Sequence, residues 1–265
     1  MALAAKIAVG ALAAYAALCL ALAALQGSLL FHPWSPPGSP ADHGLPDFRE
    51  VTFSAADGVV LTGWLHENPA RDKAAIYFYG NADSLAGSST LLRNLADGGF
   101  SVLGVNYRGY GGSAGAPSEE GLYRDADAAL AFLGQFVPRE RVVVIGRSLG
   151  SGVAVDLASR TPVKAVVLIS PYTSIPDAGA DVYWFLPVRL LARYAFASLD
   201  KIGRIGAPLL VIHGERDAII PVEHGVALHR AAREPKRLSI FAGQGHNSLD
   251  LRRIAAETIG FVGGL

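Results

Sequence analysis

Apolar strands alternating with amphipathic helices predict an α/β chain: a mostly parallel central sheet with helices on both faces, behind an N-terminal transmembrane helix. Three observations carry this expectation. The runs at 74–80, 141–146 and 164–170 are almost continuously apolar, as strands buried on both faces are. Helical patterns lie between them, and strand–helix alternation over this length implies parallel pairing through crossover helices. Residues 7–31 contain no charged side chain, and about 20 apolar helical residues are enough to cross a ~30 Å hydrocarbon core.

Composition agrees. Of 265 residues, 51% are hydrophobic and 17% charged, which excludes a largely disordered chain. The mean hydropathy of +0.32 is higher than a soluble domain usually shows, as expected of a chain with a membrane segment. Lys and Arg total 23, as do Asp and Glu; this balance, without a basic block, argues against nucleic acid as a partner. The one cysteine, Cys19, excludes an intrachain disulfide and a cysteine-based zinc site.

The chain divides into an anchor over 1–31, a Pro/Gly-rich linker over 32–48 and an α/β domain over 49–265. Lys6 precedes the apolar run and no Lys or Arg follows before Arg49. The positive-inside rule then leaves the N-terminus in the cytoplasm and carries the domain across the membrane. The alternative is a cleaved signal peptide ending near Ala21-Leu22-Ala23, but the run is long for an h-region. Leu18 before Cys19 disfavours a lipid-modified cysteine. The linker, HPWSPPGSPADHGLP, reads as a spacer that keeps the domain off the surface, with Trp34 at the interface.

Further along, 59–67 alternates like a half-buried strand, and 74–80, 101–107, 141–146, 164–170, 207–214 and 236–243 are strand-like. Helical patterns occupy 91–99, 119–136, 148–160, 223–232 and 249–262. Glu119 and Glu120 open one of these helices, where the dipole favours acids.

Gly146-Arg147-Ser148-Leu149-Gly150 lies where a buried strand gives way to a helix. That junction presents a serine on a sharp turn, with the following N–H aimed at a developing oxyanion. Glycines two residues to either side let the strand and helix backbones approach. Ser148 is therefore the nucleophile candidate, against the plainer role of a helix N-cap. Gly111-Gly112-Ser113-Ala114-Gly115 has the same letters but sits in a glycine-rich loop, so Ser113 is a poor second. A serine needs an imidazole base, and the base needs a carboxylate. Asp217 follows the strand at 207–214, with Glu215 as fallback, and His246 lies in a glycine-flanked loop before the last helix. His213 reads as a core residue, and His224 and His229 as surface residues of a helix. No histidine spacing suggests a metal, and the chemistry calls for no cofactor.

These residues match a family. The chain resembles the α/β-hydrolase superfamily, in particular the membrane-anchored alpha/beta-hydrolase-domain-containing subgroup that includes depalmitoylases, and its bacterial relatives. The resemblance rests on Tyr79-Gly80-Asn81-Ala82, NYRGYGGSAGAPSEEGLYRDADAAL, GRSLGSGVAVDLASR, SPYTSI, VIHGERDAIIP and GQGHNSL, in that order. It implies Ser148 as nucleophile, Asp217 as acid, His246 as base, and backbone oxyanion donors at Leu149 and Asn81. Relatives carry His where this chain has Tyr79, a departure that bears on the geometry of the oxyanion loop.

The crossover at about 171–206 is long enough for a short lid. Tyr172, Tyr183, Trp184 and Phe185 are candidates to line an acyl pocket over Ser148; alternatively, they pack the crossover onto the sheet. The expected activity is hydrolysis of carboxylic esters or thioesters through an acyl-serine, on small, medium or lipid-like acyl substrates. A peptidase of the same fold and a membrane-tethered scaffold are the competing readings. Epoxide hydrolase and dehalogenase chemistry is disfavoured, because the elbow would then carry a carboxylate.

Overall fold

The computed structural model describes residues 2–34 and 38–265; the middle of the expected linker, 35–37, lies outside them. One eight-stranded sheet organises the chain, in the order β1-β2-β4-β3-β5-β6-β7-β8. The strands are β1 (Arg49–Ser54), β2 (Val60–His66), β3 (Ala74–Phe78), β4 (Ser101–Val105), β5 (Val142–Arg147), β6 (Ala165–Ile169), β7 (Leu209–Gly214) and β8 (Lys236–Phe241). β2 runs antiparallel to both β1 and β4, and all other pairs are parallel. The mostly parallel sheet and its flanking helices are as the sequence predicts. Every residue of β3, β4, β6 and β7 is buried, which explains their uninterrupted apolar runs.

Among the described residues there are ten α-helices: α1 (Ala2–Ala24), α2 (Gln26–Leu30), α3 (Ser89–Asp97), α4 (Glu119–Leu133), α5 (Leu149–Arg160), α6 (Ile175–Val182), α7 (Val188–Leu191), α8 (Ser198–Ile202), α9 (Val222–Ala231) and α10 (Leu251–Gly263). The β3–α3–β4 crossover runs toward β1, whereas the crossovers carrying α4, α5, α8 and α9 run toward β8. Right-handed connections then place α3 and α10 on one face and α4, α5, α8 and α9 on the other. Caps fix several ends: Ser118 accepts from the Gly121 N–H, and Asp250 from those of Arg252 and Arg253.

Two expectations need correction. β1 was not foreseen; it is an edge strand with one fully buried residue, Val51, so its pattern is mostly polar. The described part of the linker is not a spacer. Pro40, Leu45 and Phe48 are buried, so the described part of the linker from Pro40 onward packs against the domain.

The C-terminal ends of the central strands finish level, with Phe78 opposite Gly146 and Arg147 opposite Ile169. The turns after β3, β5, β6 and β7 therefore share one edge, where open α/β sheets collect their chemistry. The glycine-rich loop after β4 is braced by Arg108. Its guanidinium bonds Asp125 at 2.8 Å and Asp57 at 2.8 Å, and its N–H donates to Asp125. Burial pushes Asp125 up to about 6 despite that cation. Breaking such a buried pair by removing one partner costs on the order of 3–5 kcal/mol.

Candidate active site

Ser148 closes β5 and stands immediately before α5. Its backbone has φ +49° and ψ −118°, a strained conformation for a residue with a side chain. The neighbouring glycines explain how the turn is possible. A Cβ on Gly146 would lie 2.3 Å from the Gly150 carbonyl, and one on Gly150 would lie 2.2 Å from that of Phe78. The turn is held by the Ser148 N–H, which donates to Ile169, and by Ser151, whose N–H and hydroxyl both donate to the Ser148 carbonyl.

The structure brings Ser148, His246 and Asp217 together. Ser148 Oγ lies 3.0 Å from His246 Nε2, and His246 Nδ1 lies 2.7 Å from Asp217 Oδ2. The other oxygen of Asp217 accepts from the N–H groups of Ile219 and Ile220, at 3.0 and 2.8 Å. Burial opposes ionisation of Asp217, but hydrogen bonds from His213, His246 and Ile220 outweigh it and hold the carboxyl well below the usual range. His213 Nε2 is shared between the Ile220 carbonyl at 2.9 Å and Asp217 at 3.4 Å. His213 is thus buried, as expected, and also supports the acid.

The loop after β3 passes beside the serine: a Cβ on Gly80 would sit 3.2 Å from Ser148 Cβ. Leu149 is the first residue of α5, where N–H groups have no partner within the helix. The side chain of Asn81 has a task the sequence did not reveal. Its Nδ2 donates to the Leu30 carbonyl, and its Oδ1 accepts from the His32 N–H at 2.9 Å and from the Tyr110 hydroxyl at 3.1 Å. The loop after β3 is thereby tied to the segment leaving α2. Tyr79 is buried, donates to Asn106 Oδ1 at 3.2 Å, and receives the Tyr107 hydroxyl on its carbonyl at 2.7 Å. A tyrosine cluster therefore supports the loop at Tyr79. Arg147 was also missed. It bonds Asp83 at 3.1 Å and the His246 carbonyl at 3.2 Å, linking the loop after β3 to the loop that carries His246.

Other candidates fall elsewhere. Ser113 is buried in a structural network, accepting from the Thr62 N–H and donating to the Asn106 carbonyl. Glu215 accepts from the Gly243 N–H. His224 is not a surface residue. It is buried, 2.8 Å from Thr173 Oγ1 and 2.9 Å from Asp181, and pins the base of the lid. His229, also on α9, is only partly buried. The expected pocket residues divide between the core and the surface. Tyr172 is a core brace whose hydroxyl donates to the Leu149 carbonyl at 3.1 Å and lies where a Gly152 Cβ would be. Tyr183, Trp184 and Phe185 face outward. Among the described residues no cluster of His, Cys, Asp or Glu could hold a metal.

Comparison with known proteins agrees with this geometry. The chain is 40% identical over 230 residues to an uncharacterized protein of Mycobacterium tuberculosis strain H37Rv, covering 85% of this chain and 82% of that one. The family model described as serine aminopeptidase, S33 matches residues 69–198 of the chain. The chain belongs to the α/β-hydrolase superfamily. It is 35% identical over 187 residues to alpha/beta hydrolase domain-containing protein 17B of Homo sapiens, covering 69% of this chain and 64% of that relative's length. An esterase of Pyrococcus furiosus has the same fold at a TM-score of 0.72 and 22% identity, covering 88% of this hydrolase and 98% of the esterase. The chain is thus an enzyme of hydrolase type.

Two outcomes follow for the hydrolase. Asp217→Asn removes the charge that fixes the base, and turnover falls on the order of 10⁴-fold. The Asp217 carboxyl is held below its unfolded value of about 3.9, so its ionisation stabilises the fold above that pH and this contribution fades as pH falls further. Unfolding measured from acid to neutral pH therefore shows a shallower acid dependence in Asp217→Asn than in wild type. Asn81→Ala keeps the backbone N–H but releases the loop; kcat falls toward the 10²–10³-fold loss of an oxyanion donor with little change in KM, as steady-state kinetics on a soluble ester will show.

Proposed function

We propose that the protein is a membrane-anchored serine hydrolase that cleaves carboxylic esters or thioesters through an acyl-serine at Ser148. The observation that carries this is the unbroken relay from Ser148 Oγ through His246 to Asp217, at 3.0 and 2.7 Å. Ser148 Oγ attacks the acyl carbonyl carbon while His246 Nε2 takes its proton. The oxyanion is met by the N–H groups of Leu149 and Asn81. The tetrahedral centre collapses, and the leaving alcohol or thiol departs with the proton from Nε2. Water then gives a proton to Nε2 and attacks the acyl carbon; Ser148 leaves and takes the proton back, releasing the carboxylic acid. Asp217, held ionised, keeps the ring oriented and offsets its charge.

α1 is long and apolar enough to cross a membrane. We place its N-terminus in the cytoplasm and the hydrolase domain outside, on the strength of Lys6 before the helix and the lack of basic residues after it until Arg49. The substrate is a small, medium or lipid-like acyl compound.

The test is labelling of the detergent-solubilised protein with a fluorophosphonate. Wild type and Ser113→Ala label and Ser148→Ala does not. Equal labelling of wild type and Ser148→Ala would refute the assignment. An aminoacyl anilide assayed beside a p-nitrophenyl ester series decides between peptidase and esterase, and the ester series is expected to dominate.

A further inference from the structure

The lid runs alongside the N-terminal helices. The Tyr15 hydroxyl donates to the Phe185 carbonyl at 2.8 Å. Gln26 Nε2 donates to the Leu191 carbonyl at 2.6 Å, and Gln26 Oε1 accepts from the Arg193 N–H at 2.7 Å. Phe31 meets Tyr194 edge-on at 5.1 Å. Tyr15 and Gln26 are among the few polar side chains in the anchor, and both are used on lid backbone. The depth follows from the rise of a helix, about 1.5 Å per residue. Tyr15 lies nine residues before the end of α1 at Ala24, or roughly 13 Å. That is close to half of a ~30 Å hydrocarbon core. Wherever α1 crosses a bilayer, Phe185 is carried to nearly the same depth.

The surface of the lid fits that position. Trp184 is 82% exposed and Leu190 84% exposed, extremes for apolar residues in a domain otherwise well packed. They flank a depression of about 460 Å³ between α6 and α7, which Leu186 and Val188 also line. Arg189 pairs with Asp177 at 2.9 Å, so its charge is not carried alone. Backbone groups without a helical partner are tolerated at membrane depth only where protein groups satisfy them; Tyr15 does this for the carbonyl of Phe185, and Gln26 for that of Leu191 at the end of α7. The buried aromatic Phe31 and the Asn81 clamp then hold the site against the end of the anchor.

We infer that the segment 182–191 is a lipid-immersed surface, seated in the acyl-chain region of the leaflet that holds the C-terminal half of α1. The hydrolase site, held against the end of that anchor, would draw its acyl substrate from the bilayer. The inference rests on the membrane-anchored hydrolase reading above and narrows its substrate class to acyl groups resident in a membrane. The reaction itself is unchanged.

Trp184 is a native probe. The full chain carrying Trp34→Phe, which leaves only the buried Trp64 beside it, is reconstituted in phosphatidylcholine vesicles. Emission that disappears in a further Trp184→Phe control is assigned to Trp184. It is expected to be blue-shifted, quenched by phosphatidylcholine brominated along its acyl chains, and shielded from aqueous acrylamide. Introducing an aspartate by Leu190→Asp disfavours insertion on the order of 10²-fold, and the bromolipid quenching is lost. Trp184 emission quenched by acrylamide and untouched by bromolipid overturns the inference. Hydrolysis of water-soluble p-nitrophenyl acetate by the same vesicles is read alongside. Its absence counts against the hydrolase reading, whereas its presence without bromolipid quenching counts against the lid alone.

Discussion

The site depends on one strained turn. Ser148 is held at φ +49° between a strand and a helix that approach too closely for any side chain at Gly146 or Gly150. Such a conformation costs on the order of 1–3 kcal/mol and persists only where the surroundings over-determine it. Here they do. Buried strands on both sides fix the end of β5, the Ile169 carbonyl takes the serine N–H, and Tyr172 braces the first turn of α5. The result is a hydroxyl standing clear of the sheet edge, in reach of an imidazole that enters from the loop after β8.

The loops around that turn are joined by charge and by aromatic packing. Arg147 ties the loop after β3 to the carbonyl of His246, and the hydroxyls of Tyr107 and Tyr110 hold the same loop at Tyr79 and Asn81. Asn81 extends the chain of contacts to Leu30 and His32. The apolar N-terminal helices and the loop beside Ser148 thus meet in a single side chain.

Much of this was legible in the sequence, for physical reasons that differ by element. Strands buried on both faces announce themselves as apolar runs. A serine between glycines at a strand–helix junction points to a nucleophile, because only a sharp turn there needs both glycines. The candidates Asp217 and His246 were legible because both follow strands. Other features depended on distant partners. β1 has one buried residue and reads as a loop. Leu45 and Phe48 are isolated apolar residues among Pro and Gly, a composition typical of spacers, yet both are buried. The aromatic crossover gives the same pattern whether it lines the site or packs on the core, and the exposure of Tyr183, Trp184 and Phe185 is set by contacts with segments far away in sequence. His224 looked exposed because its helix is amphipathic, and its burial comes from Thr173 and Asp181. The roles of Arg147 and the Asn81 side chain arise between segments far apart in sequence, which no local pattern records.

The account turns on a covalent acyl-serine at Ser148, and trapping it is the most direct test. The solubilised protein is mixed with a p-nitrophenyl ester, quenched in acid within the first turnover, digested and weighed by mass spectrometry. The account predicts the acyl mass on the peptide containing Ser148, and neither adduct nor turnover in Ser148→Ala. Ester turnover that persists in Ser148→Ala, or an adduct carried by another residue, would contradict it.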